Sequence, residues 1–285
     1  MLLKLADSLI AMSGIPEAWR CHVPAKFTNS VVAAPGGTFP VHQLNLSIVD
    51  REQLVPTGPV VDFTDYTRIH AMPHGVAYSS VCCEGLLRFD NGHVNLDLVC
   101  HSEGYRWCAS IMENALRVMM AYIVMQEGGF MVHSACVVDG ANASLLIGHS
   151  GAGKSTCSQL ALNNGLCVIS DDINVILPGG SGNWKVVPVP FNGSGETPPV
   201  RLPDMAEVPL AGIYELRQSR EHRASLVSGA SSVAKIYSCL PFINLDEMNA
   251  DKVIDKLAVL VSEVPFMRLD FRRDPGFIKV LRKAS

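Results

Sequence analysis

The stretch Ala-Ser-Leu-Leu-Ile-Gly-His-Ser-Gly-Ala-Gly-Lys-Ser-Thr, residues 143 to 156, constrains this chain more than any other. An apolar run, Leu145 to Ile147, meets Gly148, and Gly148-x4-Gly153-Lys154-Ser155 then has the spacing of a phosphate-binding loop between a strand and a helix. Glycines at 148, 151 and 153 let the backbone take positive φ and turn successive N–H groups toward phosphate oxygens. A helix opening near Lys154 would aim its positive end at the same anion. Lys154 adds a point charge, and the Ser155 hydroxyl suits Mg²⁺. Gly148, Ser150, Gly151, Ala152, Gly153, Lys154, Ser155 and Thr156 are therefore the candidate nucleotide-binding residues. A glycine-rich turn that merely opens a helix is the plainer alternative. The strand before, the helix after and the Lys-Ser pair in register favour the phosphate loop.

What surrounds the loop narrows the class. The chain has 285 residues, 48% hydrophobic and 18% charged, enough for a sizeable core in one large domain or two small ones. A net charge of −4 with 23 Lys+Arg offers no basic footprint for nucleic acid. No apolar run reads as reaching the ~20 residues of a membrane helix. Lys4 and Asp7 sit inside the apolar N-terminus, so Met1 to Ser13 is expected to be an amphipathic opening helix rather than a secretory peptide. The nine cysteines form no C-x-x-C pair and are expected as free thiols in a reducing cytoplasm.

Residues 20 to 104 read as β-rich: Ser30-Val31-Val32, His42 to Val49, Val76 to Val81 and His93 to Val99 are short strand-like runs. Pro35-Gly36-Gly37, Pro56-Thr57-Gly58-Pro59 and Asp90-Asn91-Gly92 are turns between them, the last a hairpin. His70, His74, His93 and His101 match no metal-ligand spacing. At residue 109 the period changes, and Ile111, Leu116, Met119, Met120 and Ile123 share one helical face as far as Gly128-Gly129. The Met-rich stripe on this helix reads as core filler. The expected division is a β-rich region with a short opening helix over 1–108 and an α/β nucleotide domain over 109–285.

Phe130 to Val138 is the first apolar run of that second domain, and Asp139-Gly140 turns it back into the loop strand. If the turn is centred on Gly140 and Ala141, opposed residues sum to 281 and His133 faces Gly148. After the loop, a helix to about Asn164 travels roughly 16 Å away from the phosphates. The buried-type strand Leu166 to Ser170 travels roughly 16 Å back. A right-handed crossover lays it parallel to the loop strand and delivers Asp171 and Asp172 to the nucleotide. Strands are expected at Ile173 to Leu177, Trp184 to Val189, Tyr214 to Arg217 and Phe266 to Phe271. Helices are expected at Ser231 to Leu240, Ala250 to Ser262 and Pro275 to Lys283, and Phe191 to Glu196 is a second glycine-rich loop.

Three families carry such a loop. Transporter-type ATPases need a helical signature loop and a distant strand ending Asp-Glu, which this chain lacks. Small-molecule kinases of the adenylylsulfate-kinase type place the loop near the start of the chain. His133, Gly148 to Ser155 and Ser170-Asp171-Asp172, in that order, resemble the HPr kinase/phosphorylase family, whose β-rich N-terminal region precedes a nucleotide domain related to phosphoenolpyruvate carboxykinase. The resemblance implies transfer of the γ-phosphoryl of ATP to a serine hydroxyl. In it Asp171 is the acid/base with His133 beside it, Lys154 stabilises phosphate charge, and Ser155 and Asp172 hold Mg²⁺. Thr156 replaces the family's acidic residue, and Tyr214-Glu215-Leu216-Arg217-Gln218 is a remnant of the Glu-Ile-Arg-Gly-Leu-Gly signature. The chain therefore looks like the divergent HPr-kinase-related group, with a peptide, a small protein or free serine as acceptor in place of HPr. Arg201 and Lys235 are the candidate cations to complete the site. A non-catalytic ATP-binding regulator is the competing class. No nucleic-acid or membrane partner is expected, and homo-oligomer formation is left open.

Overall fold

A computed structural model of the chain describes residues 1–20, 25–33, 41–49, 60–64, 67–72, 74–80, 82–191 and 207–284. The turns Pro35–Gly37 and Pro56–Pro59 and the loop residues Asn192–Glu196 lie outside that set. The protein is mixed α/β and divides into two compact units. One comprises Met1–Gln126 with Leu245–Asn249, the other Glu127–Asn244 with Ala250–Ser285.

The first unit opens with a hairpin where a helix was expected. Strands β1 (Leu2–Leu5) and β2 (Ser8–Ser13) pair from Leu2↔Ala11 to Leu5↔Ser8. Leu3, Leu5, Ile10 and Met12 are at most 4% exposed. Within each strand these residues are two apart, a spacing that would place them on opposite sides of a helix but on one side of a strand. Ala6, at φ 51°, makes the turn. After a four-residue helix α1 (Glu17–Arg20) come β3 (His42–Val49), β4 (Val60–Thr64), β5 (Thr67–Met72), β6 (Gly75–Ser80), β7 (Cys83–Asp90) and β8 (His93–His101). The expected strand at Ser30–Val32 reduces to one bridge, Leu3↔Val31, after a 3-10 turn.

Among the described residues these strands form one sheet in the order β1-β2-β3-β8-β7-β6-β5-β4. The β7–β8 hairpin turns on Asn91 (φ 48°) and Gly92 (φ 80°), the doubly left-handed turn that Asn-Gly favours. Helix α2 (Cys108–Gln126) buries Ile111, Leu116, Met119, Met120 and Ile123, and it groups with this unit rather than with the loop-bearing one. With the turn before it, α2 is long and apolar enough to cross a membrane by length and composition. Burial of 67% of its most apolar window inside the protein accounts for that apolarity as core packing.

The second unit contains β9 (Phe130–His133), β10 (Ala135–Asp139), β11 (Asn142–Ile147), α3 (Lys154–Asn163), β12 (Cys167–Val168), β13 (Ile173–Pro178), β14 (Trp184–Val187), β15 (Val208–Gln218), β16 (Arg223–Leu226), α4 (Gly229–Tyr237), α5 (Ala250–Glu263), β17 (Phe266–Phe271) and α6 (Gly276–Ala284). The apolar run Phe130 to Val138 is not one strand. It breaks at Ser134, so β10 pairs with β11 and β12 while β9 pairs with β13. The sum of 281 holds for every β10–β11 pair but stops at Ala135, and His133 lies opposite Ile173 instead of Gly148.

The break is held by buried polar groups. Ser134 N–H donates to the Asp172 carbonyl at 2.9 Å, and the Asn174 amide donates to the Ser134 carbonyl at 2.8 Å. Strand β12 is antiparallel to β10 and so runs parallel to β11, one strand removed, as the crossover required. Strand β15 is the branch of the sheet. Its start pairs with β14, its later half pairs parallel with β17, and its other edge runs parallel to β11. The ends of β11, β15 and β17 thus point the same way. Their other neighbours are α3 and α6, which cover Leu146, Tyr214, Leu216 and Leu269.

Candidate functional site

Strand β11 runs into the loop at Gly148, and two glycines there are required by space. At Gly153 (φ 116°) a Cβ would stand 2.5 Å from Cζ of Phe271. At Gly148 (φ 157°) it would stand 2.7 Å from the Ala152 methyl. Helix α3 begins at Lys154 with Gly153 as its cap and no side chain bonded to its first N–H groups. Those donors and the positive end of the helix face whatever the loop encloses.

The loop borders a cavity of about 840 Å³ through Ser150, Gly151, Gly153, Lys154, Ser155 and Thr156. Gly148 and Ala152 do not border it: Ala152 is buried in the core, and the Gly148 carbonyl accepts from Lys154 Nζ at 2.8 Å. Lys154 is only 8% exposed. Burial lowers its pKa from the ordinary lysine value, opposed by Cys239, Asp172 and Asp171 nearby.

The turn after β12 brings Asp171 and Asp172 to the same cavity. Its backbone is fixed by Ser170, whose Oγ accepts from the Asp172 N–H at 3.2 Å and the Ile173 N–H at 3.3 Å. His133 also borders the cavity, and its Nδ1 lies 3.1 Å from Asp172 Oδ1. The histidine therefore sits against the carboxylate expected at the metal.

Four contributors escape the sequence reading. Gln218 and Ser219 arrive from the end of β15, Phe271 from the end of β17 and Arg273 from the turn that follows. Gln218 Nε2 donates to the Gly151 carbonyl at 2.9 Å and ties β15 to the loop. Arg273 stands between Phe271, buried under Gly153, and Asp274, whose carboxylate accepts from the Gly276 N–H at 2.8 Å and meets His222 Nε2 at 2.7 Å. These contacts and Arg272 beside it hold the Asp274 carboxyl at about 2, below the usual carboxylate range.

Of the two cations expected to complete the site, Arg201 lies outside the described residues. Lys235 does not border the cavity; its ammonium is bonded to the Glu215 carboxylate. Arg273 is the arginine that does border it.

Among the described residues no group of three or more His, Cys, Asp and Glu is placed to hold a metal by itself. A hydroxyl, Ser155, and two carboxylates, Asp171 and Asp172, nonetheless open on one cavity. That set suits Mg²⁺, which keeps several waters and takes other ligands from substrate phosphates. Neither protein-family models nor curated protein sequences give a match to this chain.

Proposed function

We propose that the protein is a cytoplasmic, Mg²⁺- and ATP-dependent kinase of the HPr-kinase-related kind, with a P-loop nucleotide domain, and that it phosphorylates a serine hydroxyl. The observation that carries this reading is the convergence on one cavity of Ser150, Gly151 and residues 153–156 of the loop, the pair Asp171 and Asp172, and His133. Those parts come from separated segments, and phosphoryl transfer asks for such positioning and charge neutralisation more than for covalent chemistry.

Lys154 and the loop amides bind the outer phosphates of ATP, with Arg273 as a further cation bordering the same cavity. Ser155 and Asp172 would hold Mg²⁺, which would supply charge neutralisation to the phosphates. Contact with His133 fixes the Asp172 carboxylate. Asp171 orients the acceptor hydroxyl and takes its proton as the new O–P bond forms and the β–γ bridge breaks, releasing ADP.

The test uses γ-labelled ATP with a pool of serine-containing peptides, free serine and a metabolite mixture, read by mass spectrometry. Phosphoserine product from the wild type, lost in Lys154→Ala with the fold intact, is expected. Phosphate found only on a sugar, nucleoside or sulfate ester would place the protein with small-molecule kinases. Binding of ATP without turnover would make it a regulator.

A further inference from the structure

A second cavity, of about 480 Å³, borders the same loop through His149 and Ala152. Gln218 borders both cavities and is bonded to Gly151, which borders the first. Ser155 and Thr156, at the start of α3, border only the first. The second cavity therefore adjoins the start of the loop at His149, the residue after Gly148, whose carbonyl accepts from Lys154.

The walls come from adjacent parallel strands. Glu215 is opposite Arg268 and Arg217 opposite Asp270, so alternation sets these four side chains on one face. Arg217 Nε is 3.5 Å from Asp270 Oδ1, and Arg268 Nε is 3.5 Å from Glu215 Oε2. Both contacts are ion pairs that are long for a hydrogen bond, and each uses one of five donors on its guanidinium. Glu215 is already engaged by Lys235. Two arginines and one carboxylate thus border the cavity, and that carboxylate is shared with Lys235, in a chain whose net charge is −4. No Phe, Tyr or Trp borders the cavity, and its one ring is the His149 imidazole, held by the Ser150 carbonyl. Two arginines with donors to spare match a carboxylate, which they can grip by paired N–H groups.

Resting on the kinase reading above, we infer that this cavity is an acceptor subsite, in which Arg217 and Arg268 grip a carboxylate carried beside the serine hydroxyl. Two sources share that chemistry: the α-carboxylate of free or C-terminal serine, and an Asp or Glu side chain next to an internal serine. With the hydroxyl end toward Gln218, the anchored acceptor presents its oxygen to the cavity that holds Asp171.

The experiment compares kcat/KM for four N-acetylated peptides and for free serine against serine amide. The peptides end in serine carboxylate, end in serine amide, or carry an internal serine beside Glu or beside Gln. Carboxylate acceptors should exceed their neutral counterparts by about tenfold or more, the factor that the loss of about 1.4 kcal/mol of pairing produces. Which pair differs identifies the source. Arg217→Gln and Arg268→Gln should erase the preference by raising the acceptor KM, while the Kd for ATP stays within about twofold of wild type; Arg217→Lys should keep part of it. Equal use of neutral and carboxylate acceptors would overturn the subsite and leave the kinase standing, as would arginine variants that weaken ATP instead. Tight ATP binding by the wild type with transfer to no serine acceptor would overturn the kinase reading, and this inference with it.

Discussion

At the scale of single residues, the two aspartates after β12 are neighbours in sequence with separate surroundings. Asp172 touches His133, and its N–H is held by Ser170. If Asp171 is the base, Asp171→Asn keeps nucleotide affinity and loses about a hundredfold or more in turnover, the usual size of such a contribution. Asp172→Asn should instead shift the Mg²⁺ concentration needed for half-maximal rate. Titrating Mg²⁺ against both variants decides between the roles, and the opposite pattern would exchange them. The loop and the Asp pair are legible in sequence because each is a contiguous motif whose geometry is local. Gln218 and Arg273 are not. They enter the site only because β15 and β17 run parallel to β11 and end beside it, and no short-range pattern around 218 or 273 states which strands are neighbours. Lys235 illustrates the same gap: on α4 it meets Glu215 and borders neither cavity.

At the scale of elements, strand and helix positions follow from periodicity, and sheet membership does not. The hairpin at Asp90-Asn91-Gly92 and the strand Phe266–Phe271 are legible because alternation and turn chemistry agree. Met1–Ser13 misleads because its apolar residues are dense enough to satisfy a helical stripe, and pairing with Val31 and β3 decides for strand. The break at Ser134 is invisible because the residues on either side are equally apolar; only the buried bonds to Asp172 and Asn174 divide them.

The first sheet also carries a titratable element. His42, on β3, accepts from the Val94 N–H at 3.0 Å, and its ring centroid is 6.0 Å from that of His93. Burial, and then His93, push its pKa from 6.5 down to about 4. The folded state thus prefers the neutral ring while the unfolded chain takes a proton below about 6.5. Stability from this group is complete above 6.5 and falls as pH drops toward 4, by about 3 kcal/mol at most. His42→Asn keeps an acceptor for Val94 but cannot titrate. Urea unfolding at pH 7 and 4.5 should show a smaller acid loss for the variant than for wild type. Equal losses would mean that His42 is not the group responsible.

At the scale of the whole molecule, each unit has its own sheet and its own buried core, and the loop, the Asp pair, Gln218 and Arg273 all belong to the second. A ligand bound only by the folded form of that unit stabilises it by mass action, about 2.7 kcal/mol at a hundred times Kd. For a unit of this size the shift in its melting temperature is roughly 5–10 °C. Strands β1 to β8 hold none of the cavity residues, so their stability has no direct term in nucleotide concentration. Calorimetry with and without MgATP, followed by hydrogen exchange, separates these contributions. The unfolding event assigned to the second unit should rise with MgATP in wild type and remain in place in Lys154→Ala. Slowed exchange should be confined to the loop and the start of α3, the ends of β15 and β17, and the turn carrying Arg273. Protection extending across β1 to β8 to the same degree would show that nucleotide reorganises the first unit as well, and the acceptor would then have to be sought on both.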